Sequence, residues 1–342
     1  MSNNNAYDSA IGAIGNTPLV YLQHVTQGLN ARIAVKLEYL NPAGSVKDRT
    51  ALFLIQDAEK RGVITPGKTV LVEGTSGNTG IALAFLARLK GYKLIIVMPA
   101  HMSLERRALL KAYGAEVILS DPALGFKGVE DRAKAIVAAV PHAHMLDQFS
   151  NPANVEAHYR TTGPEIWRQT EGKVDLVCFG VGTGGTVTGV TKYLKEQKPE
   201  IESYAVEPDE AAVLSGEKPG KHRIMGIGSS VIPPILDQKA YKGIIRVHSD
   251  AAIAMARRLA LEEAILAGIS SGANVCAAIQ LSQRPEHAGK LIVTTINSNG
   301  ERYLSTELYA NAQEAATKMA VGSDEEAIAT AKKFVGIAAN GK

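Results

Sequence analysis

Cysteine is scarce in this chain: Cys178, in a strand-like run, and Cys276, in a helix-like run, are the only two among 342 residues. That excludes a disulfide scaffold and makes a reduced, cytoplasmic setting the expectation. Both thiols read as small buried side chains rather than nucleophiles. No apolar run approaches the roughly 18 residues that a bilayer-spanning helix needs, so no membrane segment is expected. Charge of one sign is nowhere concentrated. The net +3 is spread along the chain, which leaves nucleic-acid binding without a basic stripe. The pair in His142-Ala143-His144 stands without further ligands, so no metal site is expected. The first residues, Met1-Ser2-Asn3-Asn4-Asn5, have neither a secretory apolar core nor an Arg-rich amphipathic pattern, and no targeting segment is expected. Repeats and low-complexity tracts are missing.

The composition, 46% hydrophobic and 21% charged, is that of a globular chain able to bury a core, and its length suits two domains. Strand-like runs at 32–37, 69–73, 94–98, 116–119, 174–179, 203–206, 244–247 and 291–296 alternate with helical runs between them. Such alternation implies parallel sheets covered on both faces. Asn151-Pro152-Ala153-Asn154 breaks the rhythm, residues 208–238 are irregular, and Ser323 with Glu326 marks a helix start in the tail. Two α/β lobes with a cleft between them are expected.

The stretch Asn41 to Arg49 joins the first strand-like run to a helical run carrying Leu52, Ile55 and Ala58. Ser45 with Asp48 reads as a helix start, which places Lys47 in the first helical turn. The helix dipole disfavours an ammonium there and favours the neutral amine, the form that attacks a carbonyl. Two glycine-rich turns follow strands in the same way. Thr75-Ser76-Gly77-Asn78-Thr79-Gly80 can hold an anion at a helix N-terminus. Gly180-Val181-Gly182-Thr183-Gly184-Gly185-Thr186 contains the dinucleotide fingerprint, with Glu207 at the end of the next strand where a ribose-binding acid would stand. A nicotinamide-dependent oxidoreductase is the rival reading. Against it, the compact cup around Gly184-Gly185-Thr186 suits one phosphate better than a pyrophosphate.

Ser45-Val46-Lys47-Asp48-Arg49, the Thr75–Gly80 loop, the Gly182–Thr186 cup and Gly268-Ile269-Ser270-Ser271-Gly272 occur in that order. So do Met102–Arg107, Thr161–Trp167 and Gly300–Thr306. From about Ile14 to Tyr309 the chain resembles the cysteine synthase and β-cyanoalanine synthase family, fold-type II pyridoxal-phosphate enzymes. The resemblance implies two three-layer αβα lobes with mainly parallel twisted sheets, like the tryptophan synthase β chain. It divides the chain into a smaller lobe of residues 47–155, a larger lobe of 1–46 plus 156–318, and a helical tail, 319–342. By the same resemblance Lys47 would carry pyridoxal 5'-phosphate as a Schiff base and move the substrate α-proton. Asn78 would bond the cofactor's phenolic oxygen, Gly182, Thr183, Gly184, Gly185 and Thr186 would hold its phosphate, and Ser270 would face the pyridine nitrogen. Thr75, Ser76, Gly77, Asn78 and Thr79, with Gln148, would take the substrate carboxylate.

The implied reaction is β-replacement: O-acetylserine, or serine or cysteine, gives an aminoacrylate, to which sulfide adds to form cysteine. Cyanide as nucleophile would give β-cyanoalanine instead, and a sulfide- or aminoacrylate-sensing protein on the same scaffold is a further alternative. A homodimer is implied, and a serine acetyltransferase tail is a candidate partner. Three places depart from the family pattern: Gly74, the turn with Ser229-Ser230-Val231, and Asn297-Ser298-Asn299. They leave open which donor and which nucleophile are preferred.

Overall fold

In the chain's N-terminal third, apolar residues alternate along strands and recur at helical spacing between them. The computed structural model describes residues 6–75 and 77–336. Strands β1 (Leu19–Tyr21) and β2 (Arg32–Leu37) lead to helix α1 (Lys47–Lys60). Then come β3 (Val70–Gly74), α2 (Asn78–Lys90), β4 (Lys93–Pro99), α3 (Leu104–Ala112) and β5 (Glu116–Ser120). Helix α4 (Gly125–Ala139) and β6 (Ala143–Met145) precede α5 (Ala153–Ala157) and α6 (Gly163–Gln169). The later part holds β7 (Leu176–Gly180), α7 (Gly185–Gln197), β8 (Glu202–Pro208), β9 (Gly243–Val247), α8 (Ser249–Glu262), α9 (Ile269–Ser282) and β10 (Leu291–Ile296). Two helices close the described chain, α10 (Ala310–Thr317) and α11 (Asp324–Phe334).

Two sheets result. A six-stranded sheet runs β1-β2-β10-β7-β8-β9 and a four-stranded one β5-β4-β3-β6. All pairings are parallel except β1 with β2, an antiparallel edge that the sequence reading passed over as a turn-rich lead-in. Period-two alternation decides which side chain meets which layer. Ile33, Val35 and Leu37 of β2 pack into the core under α8 and α9, whereas Ala34 points into the opposite core with Phe179 and Val190. In the smaller sheet Leu71, Leu94 and Ile96 meet α1 and α2, and Val72 and Val97 meet Val129 and Ala133 of α4. Each sheet is thus covered on both faces. Among the described residues no helix is long and apolar enough to cross a membrane.

Three local features go beyond the sequence pattern. The Ser45–Asp48 capping box does not form: the Lys47 amide donates to Ser45 Oγ at 3.2 Å, but Asp48 Oδ2 accepts from the Ala43 amide at 2.6 Å. Helix α9 begins at Ile269, so Ser270 lies in its first turn. Lys36, on an alternating strand, is fully buried and pairs with Glu165 at 2.7 Å. The expected helix start in the tail does form, as a capping box between Ser323 and Glu326.

Candidate active site

Parallel strands leave their carboxyl ends on one side of a sheet, and the following loops gather there. The loops after β2, β3, β7 and β10 enclose a cavity of about 380 Å³ between the two sheets. Lys47, Thr75, Gly77, Asn78, Thr79 and Gln148 line it from the smaller sheet's side. Gly182, Thr183, Gly184, Thr186 and Ser270 line it from the other. Gly185 opens α7 just behind the cup. Ser76 lies outside the described residues.

Lys47 is the first residue of α1, and the loop before it is stitched to residues 297–299. The Val46 amide donates to Asn297 O at 2.9 Å, the Asn299 amide donates to Gly44 O at 3.2 Å, and Ser45 bridges Ser298. Burial of its ammonium lowers the Lys47 pKa to about 8. Loss of water around the ammonium, rather than the helix dipole, thus favours the neutral amine.

Two side-chain amides are oriented by their neighbours. Asn78 Oδ1 accepts from Arg302 Nη1 at 2.7 Å, which turns Nδ2 outward as a donor. Gln148 Oε1 accepts from Thr79 Oγ1 at 2.7 Å, which likewise leaves Nε2 free to donate. The Gln148 backbone is held by Glu73, whose carboxylate accepts from the Asp147 and Gln148 amides at 3.2 and 3.3 Å. Burial pushes the Glu73 carboxyl up to about 7.

The cup after β7 is built by close approach. Gly184 has φ +85°, and a Cβ at Gly182 would stand 2.5 Å from Gly226 O. A Cβ at Gly185 would lie 2.2 Å from Asn154 Oδ1. The first amides of α7 have no acceptor within their own helix and face the cavity end, an anion seat. Asn154 fixes this seat to the rest of the site. Its Nδ2 donates to Gln148 O at 2.9 Å and to Thr183 Oγ1 at 2.8 Å, and its Oδ1 accepts from Thr50 Oγ1 at 3.1 Å. Thr186 Oγ1 meets His158 Nε2 at 3.2 Å, and burial together with Lys47 lowers that imidazole to about 3, so it is neutral.

Asn154, Arg302 and His158 carry no role in the sequence reading. Asn154 stood in the segment that broke the strand–helix rhythm and Arg302 in a quoted motif, but neither pattern reveals a partner more than 20 residues away. Glu207 is occupied elsewhere: its carboxylate accepts from the Leu214 and Ser215 amides at 2.8 and 3.1 Å and from Ser215 Oγ at 2.5 Å. A ribose acid would need those lone pairs.

The donor set suits one kind of small molecule. The set can take a carbonyl at Lys47, an anion in the cup, an oxygen at Asn78 Nδ2 and a hydrogen-bonding atom at Ser270. Comparison with known proteins points to the same molecule. A profile described as pyridoxal-phosphate dependent enzyme matches residues 11–298. Cysteine synthase 3 of Caenorhabditis elegans is 62% identical over 324 residues, 95% of this chain and 96% of that protein. Cysteine synthase of Staphylococcus aureus is 52% identical over 305 residues, 89% of this chain and 97% of that protein. The crystal structure of cysteine synthase from Entamoeba histolytica superposes with a TM-score of 0.86 at 41% identity, over 94% of each chain. A lysine, an anion cup and oriented amides around one cavity, on a scaffold shared with these proteins, make the chain a pyridoxal-phosphate dependent enzyme of the cysteine synthase family.

Proposed function

We propose that the protein makes cysteine by replacing the acetoxy group of O-acetylserine with sulfide. The observation that carries this is the convergence of Lys47, Asn78, Gln148 and the Gly182–Thr186 cup on one cavity. Pyridoxal phosphate, when bound, supplies an electron sink for the substrate Cα. Lys47 Nζ would hold it covalently until the substrate amine displaces it, and the freed amine would then take the α-proton, a task its lowered pKa suits. Asn78 Nδ2 would donate to the phenolic oxygen, the α7 amides with Thr183 and Thr186 would hold the phosphate, and Ser270 would meet the ring nitrogen. The 75–79 loop, with Gln148 Nε2, binds the substrate carboxylate. That orients the Cα proton toward Lys47 and keeps water out.

A second reading keeps the site and changes the reactants: cysteine as donor and cyanide as nucleophile. Ser229, Ser230, Val231 and Asn297, which depart from the family pattern and line this cavity, leave the choice of donor and nucleophile open to it. Purified protein with pyridoxal phosphate is assayed with O-acetylserine plus sulfide and with cysteine plus cyanide, and the products are separated by chromatography. Cysteine formed faster by at least tenfold supports the first reading, and β-cyanoalanine formed faster replaces it with the second. Binding without turnover in either assay points to a sensor. Lys47→Ala should abolish both product formation and the yellow colour of the bound cofactor.

The same reading includes lobes at 47–155 and 1–46 plus 156–318, supported by the four-stranded sheet lying within 70–145 and the six-stranded one outside it. Both cysteines are free, which supports a reducing, cytoplasmic setting. Light scattering checks the homodimer, and competition by a serine acetyltransferase C-terminal peptide checks that partner.

A further inference from the structure

The direction of a hydrogen bond between hydroxyls and carboxamides is normally ambiguous, because each group can donate or accept. Here the ambiguity is removed at one end. The Gly180 amide can only donate, and it donates to Asn274 Oδ1 at 2.8 Å. Asn274 Nδ2 therefore faces the other way, toward Thr295 O at 2.9 Å and Thr295 Oγ1 at 3.1 Å. With that hydrogen bond accepted, Thr295 Oγ1 donates its own hydrogen to Asn297 Oδ1 at 2.7 Å. Asn297 must then show Nδ2 to Ser270 Oγ, 3.3 Å away. The Asn297 backbone is pinned meanwhile by its amide donating to Ser271 Oγ at 2.9 Å. Asn274 and Thr295 are fully buried, so water does not compete for these bonds.

We propose that Asn297 is a positioning residue that fixes Ser270 as a hydrogen-bond donor into the cavity. It is the last link of a one-way relay from Gly180 through Asn274 and Thr295. Ser270 Oγ accepts from Asn297, and its own proton is left for the ring nitrogen of the bound cofactor. This rests on the reading that the cavity holds pyridoxal phosphate with its nitrogen toward Ser270. Asn297 stands in one of the three segments where the chain departs from its family pattern, so the last link of the relay is one of those departures.

The test uses cofactor labelled with nitrogen-15 in the ring, bound to wild type and to Thr295→Val, Asn297→Asp, Asn297→Ala and Ser270→Ala. The nitrogen chemical shift, the cofactor dissociation constant and the melting temperature are read for each. Ser270→Ala defines the shift of a nitrogen that has lost its donor. Asn297→Asp offers Ser270 an acceptor, draws its proton away and should move the shift nearly to that limit. Thr295→Val lets the Asn297 carboxamide turn and should move it partway. In both the dissociation constant should rise about threefold to tenfold, the range of one hydrogen bond. Asn297→Ala frees the hydroxyl to rotate and should fall between them. Wild-type shift and affinity in Asn297→Asp and Thr295→Val, at unchanged melting temperature, would overturn the relay. So would a Ser270→Ala shift equal to wild type. If wild type takes up no cofactor on Lys47, the underlying reading fails instead, which the colour of the wild-type protein reveals directly.

Discussion

Arg302 Nη1 donates to Asn78 Oδ1 at 2.7 Å, and its second nitrogen, Nη2, donates to Ala43 O, in the loop that leads to Lys47. One planar guanidinium, 224 residues along the chain from Asn78, therefore ties that side chain to the loop before Lys47. Only a fork of this kind spans both acceptors. Arg302→Met keeps much of the volume and frees the Asn78 carboxamide to flip. The dissociation constant for pyridoxal phosphate, read by fluorescence titration, should rise about tenfold, with Arg302→Lys recovering part of the loss. Wild-type affinity in Arg302→Met would refute the assignment.

Lys47 gives a pH prediction that needs no cofactor. Burial lowers its pKa to about 8, against 10.5 for an ordinary lysine. Between those values the unfolded chain holds the extra proton, so this group's contribution to stability rises with pH across that window. In the apoprotein, competitive acetylation followed by mass spectrometry should show Lys47 reactivity with a midpoint near 8. Exposed lysines should titrate two units or so higher. A midpoint near 10 for Lys47 would mean that its ammonium is solvated.

A buried ion network holds the start of the larger sheet to α1 and α6. Arg49 meets Glu38 at 2.7 Å and Glu165 at 2.6 Å, and Lys36 meets Glu165 at 2.7 Å. Burial would raise the Glu38 carboxyl, but the Arg49 guanidinium overrides it and holds the group at about 2. Its contribution is therefore present above the ordinary carboxylate range and is lost as pH falls toward 2. Glu38→Gln leaves Arg49 partly unpaired in the interior and should cost about 3–5 kcal/mol in denaturant unfolding. The variant's acid transition should also lose the part that depends on Glu38.

Gly185→Ala tests the cup. The added methyl would sit 2.2 Å from Asn154 Oδ1, so Asn154 must move and release Gln148, Thr183 and Thr50. Phosphate inhibition and cofactor affinity should both weaken by about tenfold or more, the scale of one or two lost hydrogen bonds. Unchanged values would show that Asn154 is not part of the seat.

The tail offers a contrast. Helices α10 and α11 bury no residue. Removing residues 319 onward should shift stability by no more than about 0.5 kcal/mol, as surface changes usually do. Thermal unfolding of the shortened chain checks this.

Local pattern made much of the fold legible. Alternation marked β2, β7 and β10, helical spacing marked α1 and α2, and strand-then-glycine turns marked the loops that meet at the cavity. Hydrophobic period and turn chemistry are properties of neighbours in sequence, so these elements and the placement of Lys47 at a helix start could be read directly. The three-residue β1 was missed because so short a run carries no period. Lys36 was read as part of an alternating strand, and only its contact with Glu165, from a helix more than 100 residues on, accounts for its burial. The sequence by itself determined the strand–helix order, the glycine turns and the set of chemical groups on offer. The tertiary structure alone decided which amide of Asn78, Gln148 and Asn297 faces the cavity, because that depends on obligate donors and acceptors, Arg302, Thr79 and the Gly180 amide, which meet these groups only when the lobes are packed.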